Sequence, residues 1–270
     1  MYRYLLDNTM NPFVVVPQIL KFLMKIFCTY LILLLMLLSC SQRGKLAFEP
    51  EIFTGVSCDA CPEIVIDIPK ATGKDRISNA INNALREEVI SQLTFDDEIE
   101  IKDIDGAIQS FSNGHKNMQE LYFDENPDWA ANISAEVSYE DRHMITIKVD
   151  SYLFTGGAHG YGSTQFLNFN KKKGSEMEEW ELFNDRNGFR RFAENRFRKQ
   201  ENIPPDESIN STGYMFERGA FYLPENIGFT KEGLKLLYNQ YEVASYADGP
   251  VELTLPYKEV RKYLSGKIKS

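Results

Sequence analysis

The chain has 270 residues, with 30 lysines and arginines against 39 aspartates and glutamates, so its formal net charge is −9. Hydrophobic residues make up 43% of the chain and charged residues 26%, which excludes collagen-like, coiled-coil and wholly disordered proteins. Because a nucleic-acid partner needs a basic face to neutralise its phosphates, the acidic balance argues against one.

An uncharged apolar run occupies residues 26–38, directly after Lys25. A positive start, a short apolar core and a small-residue junction are typical of a secretory signal peptide, whereas a transmembrane helix needs about 20 apolar residues. The Leu-Leu-Ser-Cys sequence that ends at Cys40 resembles the lipobox of bacterial lipoproteins, which implies lipidation of that cysteine. We predict a signal peptide at residues 1–40, of which 1–23 are a candidate over-called gene start. The alternative is an uncleaved signal anchor.

The lipobox predicts a lipid-anchored protein of the outer membrane or cell envelope. Acyl chains contribute about 0.8 kcal/mol per buried methylene, so a multiply acylated N-terminus would hold the protein firmly on a membrane. The residues after Cys40 lack the acidic cluster that often directs such lipoproteins to the cell surface. A periplasm-facing protein is therefore favoured.

Cys58 and Cys61 form a C-x-x-C pair. In an oxidising compartment such a pair predicts a local disulfide. Thiol chemistry is less favoured, because a reactive cysteine needs a helix N-terminus and residues 63–68 read as a strand. Zinc would need two more ligands, and the three histidines stand at no helpful spacing. The favoured interpretation is therefore a disulfide without a metal. Redox chemistry and metal binding are the less favoured alternatives.

The first part of the exported chain predicts one strand and two helices. Residues 41–62 have no periodicity and read as a tether, and residues 64–68 alternate as a strand that Pro69 ends. A helix is predicted over residues 75–93, because apolar residues recur there on one face. These residues are Ile77, Ala80, Ile81, Ala84, Leu85, Val89 and Leu93. Residues 107–123 predict a weaker, more polar helix or turn segment.

The middle of the chain predicts antiparallel strands. Residues 131–139 and 144–152 alternate and are predicted to pair as a meander around a polar turn at residues 140–143. A glycine-rich stretch at residues 155–162 leads into another strand at residues 163–170, and a lysine-rich turn follows.

The last third predicts a helix over residues 187–200, with short strands at 221–223, 233–238 and 251–255. Residues 257–264 can close as a helix after a proline. Because helices alternate with clusters of hairpin strands, the predicted fold class is α+β, with antiparallel sheets and packed helices.

The glycine-rich stretch is the most distinctive local feature. A strand follows it instead of a helix, so a phosphate cradle is not predicted. Two interpretations stay open: a wide turn in which several residues take positive φ, or a ligand-facing loop that exposes His159 and Tyr161. The candidate loop residues are Gly156, Gly157, His159, Gly160 and Tyr161.

No catalytic constellation or cofactor motif is predicted, and we expect that the protein is not an enzyme. The sequence has no G-x-S-x-G elbow, and adjacent acids are uninformative among 39 acidic residues. Basic residues gather on the helix predicted over residues 187–200. They predict a solvated face with ion pairs to Glu194, or alternatively a contact with an anionic partner.

Four segments stand in a recognisable order. They are FTGGAHG at residues 154–160, the run from FLNFN at residue 166 to WELF at residue 183, FYL at 221–223, and QYEVASYADG at 240–249 leading to LPY. Together they resemble the paired domains of unknown function that form the extracellular part of RsiV-type lysozyme-sensing anti-sigma factors. The same pair precedes the catalytic domain of PdaC-type peptidoglycan deacetylases.

The resemblance implies an α+β fold with one subdomain at residues 63–150 and a second at residues 151–265. It also implies a cell-envelope role. Neither a sigma-binding segment nor a deacetylase domain is recognised, so we expect neither activity. We expect a non-catalytic binding or sensing module, with a lysozyme-like protein as the candidate partner.

The alternatives are binding of peptidoglycan or another cell-wall glycan, and a weak envelope hydrolase. Glycan binding predicts exposed aromatic residues in a groove, with Trp129, Trp180 and Tyr161 as candidates. Protein binding predicts a larger patch of mixed, partly apolar surface. A hydrolase predicts a pocket with perturbed titratable groups.

Overall fold

The computed structural model describes residues 44–73, 75–95, 100–122 and 128–266, so the predicted signal peptide and Cys40 lie outside the described residues. Six strands form one sheet: β1 (Ala47–Thr54), β2 (Glu63–Thr72), β3 (Ala130–Glu140), β4 (Met144–Phe154), β5 (Tyr161–Asn170) and β6 (Ser175–Glu176). Three more form a second sheet: β7 (Ile227–Phe229), β8 (Leu234–Tyr238) and β9 (Val251–Leu255). The described helices are α1 (Asp75–Leu93), α2 (Ile104–Leu121), α3 (Arg186–Gln200) and the short α4 (Tyr257–Val260).

The larger sheet follows chain order from β1 to β6. Its neighbouring strands are antiparallel except β2 and β3, which run parallel with Ile66 opposite Ile133. A parallel pair needs a crossover connection, and α1 and α2 supply it. The predicted α+β class is confirmed, as are the predicted helices that correspond to α1, α2 and α3 and the strands that correspond to β3, β4, β5, β8 and β9.

The first hydrophobic core lies between one face of this sheet and the two crossover helices. Ile81, Val89 and Leu93 of α1 are fully buried there, on the predicted apolar face. From β4, Ile145 and Ile147 enter the same core, as the two-residue period of a strand requires. Full burial of each such side chain contributes about 1.5–3 kcal/mol, so this face explains why α1 forms.

The second core lies among α3, the three-stranded sheet and the C-terminal turns. Phe189, Ala193 and Phe197 of α3 are fully buried in it, together with Leu234 and Leu255 of the smaller sheet. The strand β4 serves both cores, because its first residue, Met144, belongs to the second core while its next one belongs to the first.

Two asparagine side chains close the free edge of β5. The Thr164 N–H donates to Oδ1 of Asn239 at 2.9 Å, and the Phe166 N–H donates to Oδ1 of Asn226 at 2.9 Å. The amide groups of both asparagines donate in return to the Thr164 carbonyl. Since the edge of a sheet otherwise exposes unpaired backbone groups, these amides stand in for a further strand and hold the smaller sheet against β5.

The structure corrects two predictions at the N-terminal side. Part of the predicted tether at residues 41–62 forms β1, which the sequence does not reveal because its side chains lack a buried alternation. The strand predicted to end at Pro69 continues to the end of β2. Pro69 pairs with Pro50 and lies beyond Asp67, the last residue of β2 that pairs with β3. The missing N–H of Pro69 therefore removes no hydrogen bond between β2 and β3.

Two predictions at the C-terminal side are also corrected. Residues 221–223 form no strand, because side chains satisfy their backbone: the Phe221 carbonyl accepts from Arg190, and the next carbonyl accepts from the hydroxyl of Tyr238. The helix predicted over residues 257–264 ends with α4, since the chain then turns to form a bridge between Leu264 and Phe183.

The predicted boundary between residues 150 and 151 lies inside β4. The two cores therefore share the six-stranded sheet, and the described residues from Gly44 onward form one compact unit. A protein that begins at Ser41 retains this whole unit.

Candidate binding surface

The loop between β4 and β5 contains the residues that the sequence singled out. Gly156 and Gly157 have φ values of 95° and 94°, so the predicted turn with positive φ is confirmed. Gly160 is buried, and a Cβ atom there would lie 2.4 Å from Cζ of Tyr152. The absence of a side chain at this position therefore lets the Tyr152 ring cover the loop.

The other side of the loop packs on the segment between β8 and β9. His159 is exposed and stacks on Tyr246, with ring centroids 3.7 Å apart and an interplanar angle of 15°. The Tyr246 hydroxyl donates to the Gly160 carbonyl at 2.9 Å. The 3.4 Å contact between His159 Nδ1 and the same carbonyl lies at the limit of a hydrogen bond, so the imidazole keeps an accessible edge.

Six aromatic side chains surround this junction, and we call them the tyrosine surface: Tyr152, His159, Tyr161, Tyr222, Tyr241 and Tyr246. Four of them are large and well exposed, at 47% for Tyr152, 40% for Tyr161, 37% for Tyr222 and 57% for Tyr241. The Tyr241 and Tyr246 rings contact each other at 5.5 Å, and the Tyr222 hydroxyl donates to the Glu242 carbonyl at 3.3 Å. Single exposed apolar residues are ordinary, whereas a group of this kind makes the tyrosine surface a candidate interaction surface.

Glu242 adds a carboxylate to the tyrosine surface. Desolvation raises the pKa of this carboxyl, although hydrogen bonds from Asn239 act in the opposite direction. Burial raises the pKa of the Tyr161 and Tyr222 hydroxyls, and the charge of Glu242 raises both further. The two hydroxyls therefore remain neutral hydrogen-bonding groups at physiological pH.

The cysteine pair lies elsewhere. The structure joins Cys58 and Cys61 by a disulfide in the loop between β1 and β2, with their Cα atoms 5.1 Å apart. Within the ranges that the structure describes, no three His, Cys, Asp or Glu side chains are arranged to hold a metal ion. None of the helices in those ranges combines the length and apolarity that a membrane crossing needs.

The two tryptophans have different environments. Trp129 is 2% exposed and packs on Phe111 and His115, with ring centroids 5.1 Å and 5.5 Å away. It is therefore a core residue and is withdrawn as a glycan-binding candidate. Trp180 is 67% exposed, but it lies on a short 3-10 turn and is not one of the residues of the tyrosine surface.

The basic residues of α3 are largely engaged within the protein. Ion pairs join Arg186 to Glu179 at 2.9 Å, Arg196 to Glu259 at 3.4 Å and Arg198 to Glu194 at 3.0 Å. The last of these is a predicted helix ion pair and is confirmed. A fourth arginine, Arg190, donates to the backbone. These contacts favour the structural interpretation of the basic helix over an anionic partner.

Two cavities occur on the α1 and α2 side of the protein, with volumes of about 280 Å³ and about 580 Å³. The first is lined by β1, β2 and both helices, and the second mainly by α2 and the residues before it. Neither is lined by a residue of the tyrosine surface. The exposed aromatic residues therefore do not belong to either cavity.

Sequence reasoning found the glycine loop but missed most of its neighbours. Tyr241, Glu242 and Tyr246 lie in the segment at residues 240–249, which carried a resemblance but no assigned contacts. A signal was present there, since aromatic and acidic residues are concentrated in a predicted turn. Tyr152 gave no separate signal, because a tyrosine in a strand is ordinary.

Residues 57–161 match the family described as Deacetylase PdaC, and residues 181–258 match the family described as Protein of unknown function (DUF3298). The predicted resemblance to these paired domains is confirmed. Together the matches indicate a module associated with the cell envelope. Among curated proteins, none matches this chain.

Solved structures of the same kind share the fold. A crystal structure of a DUF3298 family member from Bacteroides fragilis is 18% identical, with a TM-score of 0.65, and the match covers 83% of this chain and 96% of that one. A DUF3298 family protein from Pseudomonas aeruginosa is 17% identical, with a TM-score of 0.56, and the match covers 83% and 94% of the two chains. At these identities the likeness shows a common fold alone.

Proposed function

The chain joins a PdaC-type region to a DUF3298 region, and from this premise we propose that it is a non-catalytic binding module of the cell envelope. Lipid attached to Cys40 holds it on a membrane, facing the periplasm, and the tyrosine surface contacts its partner. The observation that carries the binding role is the clustering of exposed aromatic side chains where the glycine loop meets the segment between β8 and β9.

Tyrosine suits such a surface for physical reasons. Its ring buries a large area with few rotatable bonds, and its hydroxyl keeps a hydrogen-bonding group at the rim of the contact. The His159 stack and the Tyr246 hydrogen bond hold the loop in place before any partner arrives. A surface that is already ordered loses less conformational entropy on binding.

The leading candidate partner is a lysozyme-like protein. The resemblance to lysozyme-sensing proteins supports this choice, and the net charge of −9 favours encounter with a basic protein. The patch is mixed and partly apolar, as protein binding predicts. Cell-wall glycan is the second candidate, favoured by the exposure of Tyr161 and Trp180.

The test is a calorimetric titration of the protein beginning at Ser41 with a C-type lysozyme at moderate salt. We expect saturable binding in the sub-micromolar range. Substitution of Tyr241 or Tyr161 by alanine should weaken it at least about tenfold, as expected for an aromatic anchor. Tyr122→Ala is the matched control, because this tyrosine is 56% exposed at the end of α2.

No heat and no complex would remove the lysozyme-like partner, and a pull-down with purified peptidoglycan would then test the glycan alternative. Equal effects of the Tyr122 and Tyr241 substitutions would show that the tyrosine surface is not the contact. Lipidation is tested separately: Cys40→Ala should move the protein from the membrane to the soluble fraction, and the mass of the mature N-terminus should include the acyl chains.

A further inference from the structure

We infer that the tyrosine surface receives a cationic side chain, a lysine ammonium or an arginine guanidinium of a partner protein, at the carboxylate of Glu242. This inference rests on the proposed function and adds the chemistry of the partner's contacting group. The partner is therefore a protein with an exposed basic residue and not an uncharged glycan.

The backbone presents Glu242 to the surface in a defined position. Its N–H donates to the Asn239 carbonyl at 3.1 Å, and its carbonyl accepts from the Tyr222 hydroxyl at 3.3 Å. The preceding residue, Tyr241, has a φ of 69°, which is the left-handed region that a bulky side chain rarely adopts. Backbone strain of this kind persists where the surrounding structure requires it and often accompanies a functional site.

The carboxylate of Glu242 has no cationic partner among the residues that the structure describes. The charged group that acts on its pKa is another carboxylate, Glu225, which adds a second negative charge. On the adjacent three-stranded sheet an acid is neutralised, because Glu252 on β9 forms an ion pair with Lys235 on β8 at 2.6 Å. Hydrogen bonds from Asn239 stabilise the Glu242 carboxylate, but no ion pair within the described part of the chain neutralises it, unlike Glu252 on the smaller sheet.

Aromatic rings complete the arrangement. The charge of Glu242 raises the pKa of the Tyr161 and Tyr222 hydroxyls, and Tyr241 precedes Glu242 in the chain. A carboxylate close to exposed tyrosines offers a cation both an ion pair and the negative faces of aromatic rings. The cation would also remove the electrostatic disadvantage of a carboxylate that is partly desolvated.

The experiment is an amide-resolved NMR titration of the protein beginning at Ser41 with the tripeptide N-acetyl-Gly-Arg-Gly-amide. The peptide with glutamine in place of arginine is the uncharged comparison. We expect saturable shifts at Gly162 and at residues 241–243, with millimolar affinity. Glu242→Gln should weaken the apparent affinity at least about fivefold, the size expected for loss of one ion pair at an aromatic site.

Glu252→Gln is the matched control, because it removes the same charge from a neighbouring strand. Equal shifts with both peptides, or an equal effect of both substitutions, would overturn the inference. If lysozyme binds and Glu242→Gln leaves that binding unchanged, the proposed function stands and the cation site fails. If the arginine peptide binds at Glu242 but lysozyme does not, the cation site stands and the named partner fails.

Discussion

Asn226 offers the sharpest test of how the tyrosine surface is supported. Its side chain is 4% exposed, it accepts a hydrogen bond from the Phe166 N–H at 2.9 Å, and it donates to the Thr164 carbonyl. In Asn226→Ala the Phe166 N–H is left buried without its partner, which costs about 1–3 kcal/mol. The Thr164 carbonyl keeps its bond from Asn239, so this second loss costs only about 0.5–1.5 kcal/mol.

The expected decrease in the free energy of unfolding is therefore about 1.5–4.5 kcal/mol. Urea unfolding at 25 °C, followed by circular dichroism, measures it by linear extrapolation, and an unchanged slope shows that the unfolded state is unaffected. Asn132→Ala on β3 is the control, because Asn132 is exposed and should change the free energy by less than about 0.5 kcal/mol. If the two variants were equally stable, the asparagine amides would not hold the smaller sheet to β5.

Three further predictions concern single groups. Tyr246→Phe keeps the stack on His159 but removes the hydrogen bond to the Gly160 carbonyl, so thermal unfolding should report a loss of about 0.5–1.5 kcal/mol. Glu242→Gln should leave the protein as stable as the parent or more stable at neutral pH. Desolvation raises the folded-state pKa of this carboxyl, so its ionisation disfavours folding, and the advantage of the glutamine variant should disappear as the pH falls through that raised pKa. An unfolding series from pH 4 to pH 8 checks the sign. Replacing Cys58 and Cys61 by serine opens a short loop and should cost no more than about 2 kcal/mol by calorimetry, whereas complete unfolding would contradict this estimate.

Local sequence patterns were sufficient to predict an element where the residues of that segment themselves determine its conformation or its buried face. The apolar face of α1 repeats every three to four residues, and the structure buries Ile81, Val89 and Leu93 on it. The glycines of the loop between β4 and β5 likewise predicted positive φ, because that conformation depends on the residue itself. In both cases the physical cause lies within a few residues of the chain.

The same reasoning failed for β1 and for residues 221–223. The strand β1 lies at the edge of the sheet and leaves Ile52 63% exposed, so no alternation marks it. Phe221 and Leu223 are buried like strand residues, but their backbone meets side chains instead of a neighbouring strand. Sequence patterns report whether a side chain is buried and do not report what pairs with the backbone.

The amino-acid sequence by itself determined the α+β class, the principal helices and strands, and the position of the glycine loop. It also predicted the export signal, which the structure does not describe. Only the tertiary structure decided that the loop meets Tyr246, which lies 86 residues beyond Gly160 in the chain, and that Trp129 is buried. The reason is that a contact between distant segments depends on how the two cores pack against one sheet, and no local period in the sequence encodes that packing.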